Sequence, residues 1–290
     1  MLRRVVDLGV PVHFLDFGGS GPPMVLVHGL GGSAINWLGV GPALARGHHV
    51  VALDLAGFGE TPPVRGSAGL GTQRDLLGRF LASVIGVPAV VVGNSMGGLL
   101  ALMQAASGPE RVSHLVLAAP AQPAPRRGRI DLEILAAFAT FAMPWLGPWY
   151  MRRRAARLGP EGLVREMLRI CCVDPSRVSP DLRAAHVELA AERLARMPWA
   201  TDAFLDATRS LLSALRRRRR FYAMVAKVGA PGLIIQGTGD RRVPIAASRE
   251  LARRRPDWTI EVFDGIGHVP QLEAPANFVA ATERWLGHAA

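Results

Sequence analysis

The chain has few cysteines, and the two that it contains, Cys171 and Cys172, are neighbours. A disulfide framework is therefore excluded, and we expect a protein of a reducing compartment, the cytoplasm. Apolar runs of the roughly 20 residues that a membrane-spanning helix needs are also missing. The basic start of the chain leads into an apolar run that Asp7 interrupts, with no small-residue cleavage site behind it. We therefore expect a mature, soluble protein rather than an export signal.

Fingerprints of nucleotide-binding proteins are missing as well. The sequence contains neither a Walker loop nor the glycine pattern of a dinucleotide-binding turn. No segment repeats with a period of 20–50 residues, which excludes solenoids and propellers. The 290 residues, 49% of them hydrophobic, are instead enough to bury one large core, with or without a smaller second domain.

Positive charge is concentrated in one part of the chain, whose formal net charge is +11. Residues 121–227 contain 20 Lys and Arg against 10 Asp and Glu, whereas the remaining chain contains 14 against 13. Nearly all of the excess positive charge therefore lies in one central segment. This asymmetry helps to place a domain boundary.

Outside that segment, short apolar runs alternate with helical patterns. The runs predict strands at Val5–Leu8, Val12–Phe17, Met24–Val27, Val50–Leu53, Ala89–Val92, Leu115–Ala118, Gly232–Gln236 and Ile260–Phe263. Helical patterns cover Thr72–Ile85, Gly97–Ala106 and Pro275–Leu286. Short, continuously apolar strands that alternate with helices indicate a parallel sheet buried on both faces.

The central segment begins with a proline-punctuated linker, Pro120–Pro125, and then loses the strand signal. Helical patterns follow at Ile130–Met143, Pro160–Ile170, Asp181–Arg196 and Thr201–Arg219. The simplest architecture is one α/β core domain, residues 1–120 and 228–290, interrupted by a helical cap at residues 121–227.

A serine lies between two glycines where a predicted strand meets a predicted helix, at Gly93-Asn94-Ser95-Met96-Gly97. Such a turn holds the serine in a strained backbone state with its hydroxyl exposed, and glycines are needed where a Cβ would collide with neighbouring chain. The helix that follows directs its free N–H groups toward the reacting atom. Ser95 is therefore the candidate nucleophile.

Four further motifs accompany this turn, and together with it they resemble the α/β-hydrolase family over nearly the whole chain outside the central segment. They are His28–Gly32, Asp54–Gly59, Gly237–Asp240 and Gly267–His268. The resemblance implies an α/β-hydrolase fold, with a mostly parallel central sheet flanked by helices and an inserted helical cap. It also implies a triad in the chain order serine, acid, histidine.

Ser95, Asp240 and His268 form the predicted triad. His268 follows a strand and a glycine-rich turn, whereas six other histidines lie at strand starts, in the opening hairpin, in a polar helix or at the terminus. His28 is expected to order its loop rather than to act as a catalyst. Asp240 is expected to bind the far nitrogen of the imidazole, although as a turn aspartate it could also cap the helix that begins near Val243.

The predicted oxyanion hole consists of two backbone N–H groups, those of Leu30 and Met96. His268 takes the proton of Ser95, which attacks a carbonyl and forms an acyl-enzyme that water hydrolyses. This chemistry needs no metal and no organic cofactor.

Three functions are compatible with these residues. Hydrolysis of a carboxylic ester of a hydrophobic small molecule or lipid is preferred. Carbon–carbon bond hydrolysis of vinylogous diketone ring-fission products is the alternative, because the Gly-Asn-Ser-Met-Gly-Gly form is similar to that of such hydrolases. The loop at Gly29–Ser33 lacks their usual Gly-Pro-Gly run, and Val269 follows the histidine where they tend to have tryptophan. A ligand-binding protein without turnover is the third possibility.

The cap is expected to cover the substrate pocket. Its aromatic residues Phe138, Phe141, Trp145 and Trp149 are candidate substrate-binding residues, with the cap's own core as the equally weighted alternative. The basic runs Arg152–Arg154 and Arg216–Arg220 indicate a solvated surface or a peripheral contact with anionic membrane. No nucleic-acid recognition fold accompanies the charge, so no nucleic-acid partner is expected. The sequence carries no signal for an oligomeric state.

Overall fold

The computed structural model describes residues 1–125 and 131–289. Within these residues, eight strands form one sheet. The strands are β1 Leu2–Asp7, β2 Pro11–Gly18, β3 Pro23–Val27, β4 His49–Leu53, β5 Ala89–Asn94, β6 Val112–Ala118, β7 Gly232–Gly237 and β8 Thr259–Phe263. Their order is β1-β2-β4-β3-β5-β6-β7-β8. The β1–β2 and β2–β4 pairs are antiparallel and the other pairs are parallel.

Helices flank this sheet. They are α1 Gly41–Leu44, α2 Leu70–Phe80, α3 Met96–Ser107, α4 Leu132–Ala142, α5 Leu146–Cys171, α6 Pro180–Arg196, α7 Ala200–Arg216, α8 Arg218–Val225, α9 Ile245–Arg254, α10 Pro270–Glu273 and α11 Pro275–Ala289. Short 3₁₀ turns cover Ala34–Trp37, Pro109–Arg111 and Pro175–Arg177, and a π-helical turn covers Leu81–Ile85. The predicted α/β architecture with a mostly parallel sheet is confirmed.

The sheet is buried on both faces, and β5 shows why its residues Ala89–Val92 are all apolar. Val91 belongs to the apolar cluster on one face, and Val90 and Val92 belong to the cluster on the other. Successive side chains of a strand alternate between the faces, so a strand covered on both sides has no polar position. The parallel register aligns Val27, Gly93 and Leu117 across β3, β5 and β6. The loops that follow these strands consequently meet at one edge.

Helices α4 to α8 lie between β6 and β7 in the chain. Of the first predicted helix, Ile130 lies outside the described residues, and α4 begins at Leu132. Helix α5 begins at Leu146, and its first half was not predicted. Pro148 lies in its first turn, where a missing backbone N–H costs nothing. Gly159, with φ +59° and ψ −178°, is non-helical and separates this half from a second helical half, which matches the predicted helix at Pro160–Ile170.

The prediction of one helix over Thr201–Arg219 was wrong at its end. Helix α7 stops at Arg216, and α8 starts at Arg218 after a residue with φ −92° and ψ 57°. The guanidinium of Arg218 donates to the Ala124 carbonyl and binds Glu250, so contacts with the core domain redirect the chain. None of the helices in the described ranges has the length and apolarity needed to cross a bilayer.

Candidate active site

Ser95 occupies the turn between β5 and α3 with φ 53° and ψ −116°. A positive φ is unusual for a residue with a Cβ, and such strain persists only where the surroundings hold it. Here the Ser95 N–H donates to the Ala118 carbonyl over 3.0 Å, and the Ser95 carbonyl accepts from Ala121 over 2.8 Å. The start of the linker after β6 thus holds the turn of the candidate nucleophile.

The glycines on either side of the serine are required by close backbone contacts. A Cβ at Gly93 would lie 2.4 Å from the Gly97 carbonyl oxygen, and a Cβ at Gly97 would lie 2.2 Å from the Val27 carbonyl oxygen. Any larger residue would push the turn away from β3. The spacing read from the sequence therefore has a steric cause in the structure.

Asp240 and His268 lie together in the turns after β7 and β8. The Nδ1 of His268 donates to Oδ2 of Asp240 over 2.8 Å, and both side chains are buried. The other oxygen, Oδ1, accepts from the N–H groups of Arg242 and Val243 at 2.8 and 2.9 Å. The capping role and the imidazole-binding role are therefore filled by different oxygens of one carboxylate.

Several contacts keep this carboxylate ionised. Burial by itself raises the pKa of Asp240, but the charge and hydrogen bond of His268, the Val243 N–H and the amide of Gln236 outweigh it. The pKa consequently lies below its ordinary value. An ionised Asp240 holds the His268 proton on Nδ1, which leaves Nε2 as the basic nitrogen.

Gln236 is a positioning residue that the sequence analysis missed. Its Nε2 donates to Oδ2 of Asp240 over 2.9 Å, and its Oε1 accepts from Ser248, which in turn accepts from Gln122. A buried polar chain thus connects the linker after β6 to the acid. The available signal was a glutamine at the end of an otherwise apolar strand, since a buried amide requires partners.

The loop that carries His268 is bound to the serine turn and to the cap. The Asn94 amide, one residue before Ser95, donates to the His268 carbonyl over 3.1 Å. The His268 N–H donates to the carbonyl of Cys171 at the end of α5 over 2.6 Å. The buried carboxylate of Glu273 accepts from Gly267 and from Asp174, both at 2.7 Å. Movement of the cap would therefore displace the imidazole.

The loop after β3 lies against the serine. A Cβ at Gly29 would be 3.1 Å from the Cβ of Ser95, so only a glycine allows this approach without displacement. Leu30 follows directly, and the turn closes with Gly32 N–H donating to the Gly29 carbonyl. Met96 begins α3, where the N–H groups of the first turn have no intrahelical acceptor. One predicted oxyanion donor, Leu30, thus lies in the loop beside Ser95, and the other, Met96, is the first residue of the helix that follows Ser95.

His28 orders this loop and is not a proton carrier. Its Nδ1 donates to the Gly29 carbonyl over 2.7 Å, and its Nε2 accepts from the Leu55 N–H over 3.0 Å. Burial lowers the pKa of His28 to about 4, and the charge of Arg193 adds to this effect. The imidazole is therefore neutral at pH 7, with its tautomer set by two backbone groups.

Asp54 is the buried carboxylate beside this loop. It accepts from the N–H groups of Ala34 and Glu60 at 2.7 and 2.9 Å. Burial raises its pKa to about 6, against the effect of these hydrogen bonds. We call Gly29–Gly32, which carries the predicted oxyanion donor Leu30, the oxyanion loop. Asp54 thus joins the segment after this loop to the turn at Glu60, and its charge lies close to Arg193.

We expect these two groups to have opposite effects on the pH dependence of unfolding. Below pH 6.5, His28 is protonated in the unfolded chain but stays neutral in the folded chain. Through His28, lowering the pH to about 4 therefore lowers the free energy of unfolding. Between about pH 6 and 3.8, Asp54 is protonated in the folded chain but still ionised in the unfolded chain. Through Asp54, lowering the pH across this range therefore raises the free energy of unfolding. Asp54→Asn removes the second effect. Its free energy of unfolding should fall by about 3 kcal/mol more than that of the wild type between pH 6.5 and 4.

Chemical denaturation at closely spaced pH values measures this difference. The control is Asp264→Asn, in a turn whose carboxylate accepts a hydrogen bond from the exposed Thr238 hydroxyl. Parallel pH profiles for wild type and Asp54→Asn would contradict the assignment.

The aromatic residues of the cap divide into two groups. Phe138 and Phe141 are partly buried and stack edge-on at 6.3 Å. Trp145 and Trp149 are 90% and 54% exposed, so the prediction that they line a pocket needs correction. They lie where the chain leaves α4 and enters α5, and this junction faces solvent.

Two cap residues that the sequence analysis did not identify contact the oxyanion loop. The ring of Phe204 on α7 would lie 3.2 Å from a Cβ at Gly31, and it stacks edge-on with Phe141 at 5.4 Å. The guanidinium of Arg193 on α6 donates to the Gly31 carbonyl over 3.2 Å. Burial lowers the pKa of Arg193, and the charge of Asp54 opposes this. One phenylalanine and one arginine among many in helical patterns give no signal from spacing alone.

A family model described as the alpha/beta hydrolase family matches residues 24–281. The chain belongs to this family. The chain is 27% identical to a 2-hydroxy-6-oxononadienedioate/2-hydroxy-6-oxononatrienedioate hydrolase of Cupriavidus pinatubonensis. The similarity covers 97% of this chain and 92% of the relative. The recognition made from the motifs is confirmed, and hydrolase activity is what the fold and these relatives support.

Solved structures of two kinds of alpha/beta hydrolase are similar to this one. A meta-cleavage product hydrolase is 25% identical, with 98% of both chains covered and a TM-score of 0.75. A membrane phospholipase A is 28% identical, with 99% of this chain and 86% of that chain covered and the same TM-score of 0.75.

Proposed function

We propose that the protein hydrolyses a carbon–carbon bond in a vinylogous diketone ring-fission product that bears a carboxylate, through an acyl-enzyme on Ser95. The observation that carries this proposal is Arg193, a cap guanidinium bound to the oxyanion loop. Full-length relatives named as hydrolases of 2-hydroxy-6-oxo dioates support it. This reaction was the alternative in the sequence analysis, and the comparisons favour it over ester hydrolysis.

The first half of the reaction uses the triad. His268 Nε2 takes the proton of the Ser95 hydroxyl, and the oxygen adds to the ketone carbonyl. The resulting oxyanion accepts hydrogen bonds from the Leu30 and Met96 N–H groups. When the carbon–carbon bond breaks, its electron pair passes into the conjugated fragment, which leaves as a dienolate and takes the proton from His268. The second half is ordinary deacylation by a water that His268 activates.

A carbon leaving group explains the need for a cation beside the site. An alkoxide from an ester departs without delocalisation, whereas a dienolate must spread its charge toward the far end of the substrate. Arg193 has no carboxylate within ion-pair distance in the part of the chain that is described. Arg193 is partly buried, so its guanidinium loses part of its hydration without gaining an ion-pair partner. A substrate carboxylate or dienolate oxygen would supply that partner.

Arg193→Met tests this role, because methionine keeps an unbranched apolar stem and removes the charge. We expect kcat/KM for a dianionic ring-fission product to fall about 100-fold, as when one partner of a buried charge pair is truncated. For a neutral p-nitrophenyl ester we expect a change within about threefold, since that substrate makes no such pair. Loss of the absorbance of the conjugated ring-fission product, which is the substrate, measures the first rate, and nitrophenolate release measures the second.

Arg196→Met, an exposed arginine three residues further along α6, is the matched control and should leave both rates unchanged. An equal loss on both substrates after Arg193→Met would mean that Arg193 only supports the loop.

Ester hydrolysis is the second candidate, favoured by the similarity to a membrane phospholipase A. A wild-type kcat/KM that is higher for medium-chain esters than for ring-fission products would select it. A stoichiometric burst without further turnover on both substrate classes would instead indicate a ligand-binding protein.

A further inference from the structure

The junction of α4 and α5 carries an exposed apolar surface, which we call the apolar tip. Its most exposed side chain is Trp145 at 90%. The remaining members of the tip are Met143, Leu146 and Trp149, all within seven residues of the chain. Single exposed apolar residues are ordinary, but a cluster of this kind indicates an interaction surface.

Helix α4 is apolar on both of its faces. Ile134 is buried and Phe138 and Phe141 pack inward, while Leu132 and Leu135 face outward. Glu133 is its one charged residue, and it binds Arg169 and Arg241. A helix that is apolar all round belongs in an apolar environment rather than at a water-facing surface.

Arginines of the next helix lie directly beside this tip. Arg152, Arg153 and Arg157 are exposed in the first turns of α5, and the Arg153 guanidinium lies 5.6 Å from the centroid of the Trp149 ring. Arg154 differs, because it is paired with Glu166. The surface therefore combines tryptophan and leucine with a rim of exposed positive charge.

We propose that the cap docks on an anionic lipid surface through the apolar tip, with the α5 arginines on the phosphate groups. Tryptophan prefers the level of the lipid headgroups, and clustered basic residues bind anionic lipid. A second copy of this chain fits less well, because a twofold interface would place the same arginines opposite each other. Among the residues that the structure describes, Arg152–Arg154 is the basic run of the cap that adjoins exposed large apolar side chains.

Flotation with vesicles tests the docking. Wild-type protein should bind vesicles with roughly 30% anionic lipid and not purely zwitterionic ones, and binding should weaken between about 0.05 and 0.5 M salt. Arg152→Glu/Arg153→Glu should lower binding at least about tenfold. The matched control is Arg219→Glu/Arg220→Glu, with the same charge change at two exposed arginines of α8, and it should bind nearly as the wild type does.

A second measurement separates insertion from surface attraction. Lipids brominated in the acyl chain should quench part of the tryptophan emission, and Trp145→Phe/Trp149→Phe should lose that quenching while it still floats. Ser95→Ala should bind as the wild type does, so docking is tested apart from the reaction. Equal losses in both charge-reversal variants, no binding to anionic vesicles, or a dimer that Trp145→Ser dissociates would each overturn the proposal.

Discussion

Ser95→Ala should lower kcat on the order of 10⁶-fold for ring-fission products and esters alike, since alanine offers no atom to carry the acyl group. A fluorophosphonate probe should label the wild type and leave the variant unlabelled. Ser107→Ala, at an exposed serine at the end of α3, is the matched control and should keep full activity and labelling. Equal labelling of wild type and Ser95→Ala would remove Ser95 as the nucleophile.

Asp240→Asn should lower kcat on the order of 10⁴-fold, because it reverses the imidazole tautomer. The two N–H groups of Arg242 and Val243 require an acceptor at the Oδ1 position. The asparagine amide N–H₂ must then face His268 Nδ1 and the donor of Gln236. His268 escapes this clash only by moving its proton to Nε2, which leaves no base beside Ser95.

The pH profile of the Asp240→Asn variant distinguishes a tautomer defect from misfolding. We expect an unchanged thermal midpoint to within a few degrees, because a single lost hydrogen bond costs about 1 kcal/mol. Activity should rise at alkaline pH, where hydroxide replaces the missing base. An activity within about tenfold of the wild type at neutral pH would mean that Asp240 does not orient the imidazole.

Much of the fold could be predicted from short-range patterns. The eight strands were found within a few residues of their bounds, because strands buried on both faces leave continuous apolar runs. The errors fell in the cap. Gly147, Pro148, Gly159 and Pro160 hid the first half of α5, since the tolerance of a helix for a proline depends on its position within the turn.

The residues of the candidate site, like the elements of the fold, could be predicted only in part from the sequence. Ser95, Asp240 and His268 were recognised because each follows a strand in a glycine-rich turn, where geometry restricts the residue types. Arg193, Phe204 and Gln236 were missed, because an arginine or phenylalanine in an amphipathic helix looks the same whether it faces solvent, core or cleft. The aromatic residues Trp145 and Trp149 were assigned to the pocket for that reason, although the structure exposes them.

The sequence alone determined the order of strands and helices, the serine turn and the positions of its two partners, because steric limits on glycine turns and buried strands act over a few residues. Only the tertiary structure decided how the cap lies on the core: which side of α6 reaches the oxyanion loop, which carboxylate oxygen binds the imidazole and which aromatic residues face water. The first of these depends on contacts between residues more than a hundred positions apart, such as Gly31 with Arg193. Local pattern does not encode such distances.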